Sequence, residues 1–158
     1  MNPPENSPPL KLPTVFHSSS PEKTQSLGEN LAYHLSKGSI VALKGPLGAG
    51  KTCLIKGIAR KLAVTEVITS PTYTIISEYE GLLRGKKITI FHIDAYRLGG
   101  NDDFSAIGGE EIVFGNGISL IEWSERIPAF VPANAIKVEI EIKKDSERII
   151  RIYREENV

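Results

Sequence analysis

Residues 45–52 read Gly-Pro-Leu-Gly-Ala-Gly-Lys-Thr and match the pattern GxxxxGK[ST]. This pattern has a physical meaning only between a strand and a helix. Both flanks meet that condition. Ile40–Leu43 is a continuous apolar run, the mark of a strand buried on both faces of a parallel sheet. After the loop, Leu54, Ile58 and Leu62, with Ile55 and Ala59, form one apolar helical face, and Lys56, Arg60 and Lys61 fall away from it. Gly45, Gly48 and Gly50 let the backbone adopt conformations closed to other residues and approach a phosphate closely. Successive N–H groups then point inward, aided by the positive end of the helix. Lys51 would reach the β- and γ-phosphate oxygens and the Thr52 hydroxyl would ligate Mg²⁺. The guanine-selecting pattern [NT]KxD is absent from the chain, which favours ATP.

The rest of the chain fits an α/β domain around that loop. With 158 residues, one domain is expected, and 41% apolar residues supply its core. Residues 1–13 hold Pro3, Pro4, Pro8, Pro9 and Pro13 and few large apolar groups, so they are expected as a disordered tail ahead of a single domain at 14–158. Val15 and Phe16 suggest a short strand. Ser20 is a good N-cap with Pro21 at the first helical position, and Leu27, Leu31 and Leu35 give that helix an apolar face ending at Gly38. Thr72–Tyr79 reads as extended, Lys86–Asp94 as a strand, 99–117 as a short irregular helical segment, and Ile118–Trp123 as another strand. Ile136, Val138, Ile140 and Ile142 alternate with charged residues, and Ile149–Tyr153 follows, which predicts an antiparallel hairpin with one wet face. The expected fold is a mostly parallel central sheet flanked by helices, with that hairpin at its C-terminal end.

Composition narrows the function classes. Lys+Arg and Asp+Glu both number 19, which argues against coating nucleic acid or an anionic membrane by bulk charge, though not against a local basic site. The single cysteine excludes a disulfide framework and a Cys-rich zinc site. No apolar run approaches the roughly 20 residues that span a bilayer. No signal-peptide core is visible, so a cytoplasmic protein is expected.

Phosphoryl transfer also needs an acid for the metal and a group to position the attacking oxygen. Two apolar strands run into carboxylates, one at Asp94 and one at Glu122, at the end of a sheet where ligands bind. An acid after a strand also caps turns, and the loop upstream tips the reading towards the metal. His92, Asp94 and Tyr96 share one strand parity; His92 taken alone reads equally well as a packing histidine. Ser70-Pro71-Thr72-Tyr73-Thr74 is rich in hydroxyls, in the region where many hydrolases of this type sense the γ-phosphate. A Ser-Pro turn that opens a strand is the plainer alternative. Glu122 and Trp123 point to opposite faces unless the strand ends between them. Cys53, with no histidine near it in sequence, reads as a packing residue. A nucleotide or metabolite kinase would use the same loop, although no Arg-rich lid is evident. A non-catalytic nucleotide-binding scaffold is a further alternative.

Four motifs, GPLGAGKT at 45–52, SPTYT at 70–74, HIDAYR at 92–97 and IEW at 121–123, occur in one order and spacing. The set resembles the TsaE (YjeE) family, ATPases of bacterial tRNA threonylcarbamoyladenosine synthesis, over roughly residues 14–155. The resemblance implies ATP and Mg²⁺ as cofactors, and work alongside a TsaD-like threonylcarbamoyl transferase subunit and a TsaB-like paralogue. It implies modification of position 37 in tRNAs reading ANN codons, with tRNA met through the complex. It implies nucleotide contacts at Gly45, Gly48, Ala49, Gly50, Lys51, Thr52, Cys53, Ser70, Thr72, Trp123 and Arg148. Thr52, Glu122 and Asp94 would serve the metal, and Lys51, Asp94 and Glu122 the reaction. Ser20–Thr24 and the hairpin tip near Arg148 would flank the base. Pro46 departs from the family's usual Asp, and Cys53 from its usual Thr or Ser. Proline removes one backbone N–H from the outer edge of the loop and leaves the cradle residues intact.

Overall fold

A computed structural model of the chain describes residues 10–69, 74–144 and 146–155. In order, the elements are β1 (Thr14–Ser18), α1 (Pro21–Leu31), β2 (Ile40–Lys44), α2 (Lys51–Lys61), β3 (Ile76–Leu83), β4 (Lys86–Asp94), α3 (Asn101–Ala106), α4 (Gly109–Val113), β5 (Ile118–Glu122), β6 (Ile136–Ile142) and β7 (Arg148–Tyr153). The strands form one seven-stranded sheet in the order β1-β7-β6-β2-β5-β4-β3.

The sequence pattern of each strand matches its place in the sheet. All five residues of β5 are buried, as are Ile40–Leu43 of β2, because these two lie side by side in the middle with both faces covered. The loop at 45–50 therefore leaves a central strand. The sheet has the expected parallel centre and C-terminal antiparallel hairpin, and further antiparallel pairs at its edges make it mixed as a whole. β6, β2, β5 and β4 run parallel to one another, whereas β1–β7, β6–β7 and β3–β4 pair antiparallel. The β3–β4 hairpin turns through Arg84 and Gly85, both at positive φ (49° and 80°), the conformation that suits a two-residue hairpin turn. β3 is thus displaced from the extended segment expected at 72–79 and continues to Leu83. Gly81 lies within it because a Cβ there would stand 2.5 Å from the Leu62 carbonyl oxygen.

Helices cover both faces. α1 starts as expected, with the Ser20 hydroxyl accepting from the Lys23 N–H at 3.2 Å and Pro21 at the first helical position. It ends at Leu31 and passes into a 3-10 turn at Ala32–His34, so Gly38 is not its cap. Gly38 instead takes φ 83° in the turn before β2. Leu27, Leu31 and Leu35 from this segment, Leu54, Ile55 and Ile58 from α2, and Leu62 at its C-cap bury against one face of the sheet. The two helices approach very closely. A Cβ on Gly28 would stand 2.2 Å from the Leu54 carbonyl oxygen, and one on Gly57 1.9 Å from that of Gln25. On the other face, Phe104 of α3 and Phe130 meet edge to face at 4.6 Å over Ile40, Ile93 and Ile121. Ahead of β1, Leu10 and Leu12 pack half-buried against the first core. Among the described residues no helix is long and apolar enough to cross a membrane.

Candidate functional site

The loop leaves β2 and turns directly into α2. Gly48 and Gly50 take φ 78° and 110°, in the left-handed region that only glycine enters cheaply. At Gly45, a Cβ would stand 2.9 Å from the Ile140 carbonyl oxygen. Gly50 is the N-cap of α2, and the Leu54 N–H closes the first turn onto its carbonyl at 3.0 Å. The first-turn N–H groups of a helix lack intrahelical acceptors and carry its positive end, which makes this loop an anion cradle in form. Ala49 is buried behind it and Leu47 is exposed at its tip.

Lys51 opens α2 and is 5% exposed. Its ammonium donates to the carbonyls of Gly45 and Pro46, and lies 3.8 Å from the centre of the Trp123 ring. Burial pushes its pKa below the ordinary value, and the negative charges of Glu122, Glu125 and Asp94 act in the opposite direction. Next along the helix, the Thr52 hydroxyl is 3.2 Å from both carboxylate oxygens of Glu122. Glu122 is itself buried at the carboxyl end of β5, and its Oε2 lies 2.6 Å from Nε2 of the fully buried His92. Asp94 is the register partner of Glu122 on the neighbouring parallel strand. Its Oδ1 accepts from the Tyr96 N–H at 3.0 Å, so it also caps its own turn.

The strand does end between Glu122 and Trp123. β5 stops at Glu122, and Trp123 takes φ 57° and ψ 41°. That left-handed turn cancels the alternation that would have set the two side chains on opposite faces; Trp123 comes to Lys51 and Glu122 to the adjacent Thr52. Tyr96 stands beside Trp123 with ring centres 4.9 Å apart, and the Arg126 guanidinium lies 5.2 Å from the Tyr96 ring.

Two other parts of the chain reach the loop. Arg148, at the start of β7, donates from Nε to the Ala49 carbonyl at 3.2 Å and from Nη2 to that of Gly48 at 3.4 Å. From α1, Thr24 bonds the Ser18 hydroxyl at 2.7 Å, and its Cγ2 would lie 3.7 Å from a Cβ on Gly50. Cys53 turns towards α1, where Sγ donates to the Pro21 carbonyl at 3.1 Å, and burial pushes its thiol up. Ser70 and Thr72 lie outside the described residues. Two residues without a role in the sequence reading, His92 and Tyr96, join the group. Their shared parity with Asp94 was the available signal.

The donor set bears on a metal. Among the described residues, no group of three or more His, Cys, Asp and Glu is placed to hold an ion. Thr52 and Glu122 nevertheless offer two hard oxygen donors side by side. That fits Mg²⁺, which binds through one or two protein oxygens and takes the rest from phosphates and water.

Comparison with known proteins finds relatives over most of the chain. The family model described as "Threonylcarbamoyl adenosine biosynthesis protein TsaE" matches residues 18–150. The tRNA threonylcarbamoyladenosine biosynthesis protein TsaE of Treponema pallidum is 38% identical over 135 residues, covering 85% of this chain and 96% of the relative. The protein of the same name from Bacillus subtilis is 36% identical over 142 residues, covering 89% and 83%. That from Aquifex aeolicus is 40% identical over 137 residues, covering 85% and 92%. Among solved structures, the crystal structure of Bacillus subtilis YdiB superposes with a TM-score of 0.75 at 30% identity, covering 91% of this chain and 86% of that one.

Proposed function

The chain belongs to the TsaE family, and from that membership we propose that it serves tRNA threonylcarbamoyladenosine formation as an ATP-binding and ATP-hydrolysing subunit. It works in a complex with other factors of the same modification, a TsaD-like transferase subunit and a TsaB-like paralogue. The product is N6-threonylcarbamoyladenosine at position 37 of tRNAs reading ANN codons, and hydrolysis supports turnover of the transferase. The protein acts in the cytoplasm, through a single ATPase domain at 14–158.

The observation that carries this reading is the convergence of Lys51, Thr52, Glu122 and Trp123 on one glycine-built loop. Amides from Gly48 to Thr52 bind the β-phosphate. Lys51 exchanges the Gly45 and Pro46 carbonyls for β- and γ-phosphate oxygens, a trade of neutral acceptors for charged ones. Thr52 and Glu122 hold Mg²⁺, which when bound neutralises charge on the phosphates. Asp94 accepts a hydrogen bond from the attacking water and turns its oxygen towards the γ-phosphorus. As the bond from the water oxygen to the γ-phosphorus forms, the bond from that phosphorus to the β–γ bridging oxygen breaks, and the water's proton leaves to the released phosphate, giving ADP and phosphate. Ser70 and Thr72 would sense the γ-phosphate, and Trp123 and Arg148 flank the nucleotide.

The test is reconstitution with the two partner proteins, the adenylate-forming enzyme, ATP, threonine, bicarbonate and tRNA. Multi-turnover modification is expected to require this chain. Unchanged modification when the chain is left out would overturn the proposal.

A further inference from the structure

We propose that His92 is a positioning residue, whose Nε2–H keeps the Glu122 carboxylate turned towards Thr52. The proposal deepens the nucleotide-binding reading and rests on it. His92 is fully buried on β4, and its Nε2 stands 2.6 Å from Glu122 Oε2. A carboxylate accepts and does not donate, so the proton belongs on Nε2. Nδ1 is buried without a hydrogen-bond partner. A leucine or phenylalanine would fill this space without leaving an unpaired nitrogen behind. Packing alone therefore does not account for an imidazole here; the bond to Glu122 does.

The neighbours explain what that bond controls. Glu122 faces the Thr52 hydroxyl through both of its carboxylate oxygens. The Lys51 ammonium is held by the Gly45 and Pro46 carbonyls. Without a donor from His92, the carboxylate would be free to turn away from Thr52. That would take a carboxylate oxygen from the metal. Partners that orient a metal-binding side chain are worth roughly 10- to 100-fold in metal affinity.

Three variants of the full chain separate positioning from packing. His92→Gln keeps an N–H near the place of Nε2, His92→Asn moves it to the place of Nδ1, and His92→Leu fills the space with no donor. The readout is binding, not turnover: the Mg²⁺ concentration at which a non-hydrolysable ATP analogue reaches half its effect on Trp123 fluorescence, with a parallel titration free of metal. His92→Asn and His92→Leu are expected to raise that concentration roughly 10- to 100-fold, with metal-free affinity unchanged and His92→Gln close to the native protein. Equal shifts in all three variants, or none in any, would overturn the proposal. If His92→Leu does not fold, the Gln and Asn pair decides alone. Native protein that binds no nucleotide would refute the underlying reading of the site, whereas native binding with unshifted variants would refute only the role of His92.

Discussion

The Lys51 ammonium lies 3.8 Å from the centre of the Trp123 ring. The contact exists because the backbone turns left-handed at Trp123, at φ 57°, immediately after β5 ends. Trp123 is the one tryptophan of the chain, so its emission reports on Lys51. A lysine that leaves the ring for a phosphate removes a charge from the indole face. Saturating ATP with Mg²⁺ is therefore expected to change the intrinsic fluorescence, and Lys51→Met to suppress most of the change. An emission spectrum that nucleotide leaves unaltered would contradict this.

The crossing of α1 and α2 sets a second expectation. Alanine inside a helix normally stabilises by about 1 kcal/mol over glycine. At Gly57 the sign reverses, since the new Cβ would stand 1.9 Å from the Gln25 carbonyl oxygen, and backbone cannot step aside like a flexible side chain. Gly57→Ala is expected to cost about 1–3 kcal/mol, lowering the Tm by about 2–4 °C for each kcal/mol. Thermal unfolding followed by circular dichroism measures it, and a raised Tm would show that the helices are not in contact there.

Cys53 yields a pH-dependent expectation. Burial raises its thiol pKa, with Lys56 opposing. The thiolate is then scarcer near neutral pH than in an open chain. Iodoacetamide should alkylate native protein more slowly than urea-unfolded protein at pH 7.5, with the gap narrowing as pH climbs through the native thiol's raised value. Equal rates at pH 7.5 would count against the buried setting.

Most of the frame was legible because it depends on local pattern. Lys86–Asp94 alternates apolar residues on both parities, and it forms a strand with those bounds. Ser20-Pro21 carries its own capping chemistry, and the loop's glycines announce their conformations. Other features rest on contacts between distant segments. β3 reaches Leu83 only because β4 pairs with it, and its glutamates and Gly81 blur the apolar alternation. The small residues Gly28 and Gly57 look like weak points of two helices until the helices are seen to touch. Parity placed His92 on the face of Asp94 but could not name its partner Glu122, which arrives from another strand. Nor could parity find the turn at Trp123, because alternation says which way a residue points only while the strand continues.

The central claim, that the loop from Gly45 to Thr52 grips a triphosphate, meets its most direct test in calorimetry. Titrating ATP with Mg²⁺ into native protein and into Lys51→Ala, with both checked for equal folding, compares the loop with and without its ammonium. The variant removes a charge-assisted contact worth about 1.5–3 kcal/mol, so its affinity is expected to fall roughly 10- to 150-fold. Native and variant proteins binding ATP equally well would contradict the claim.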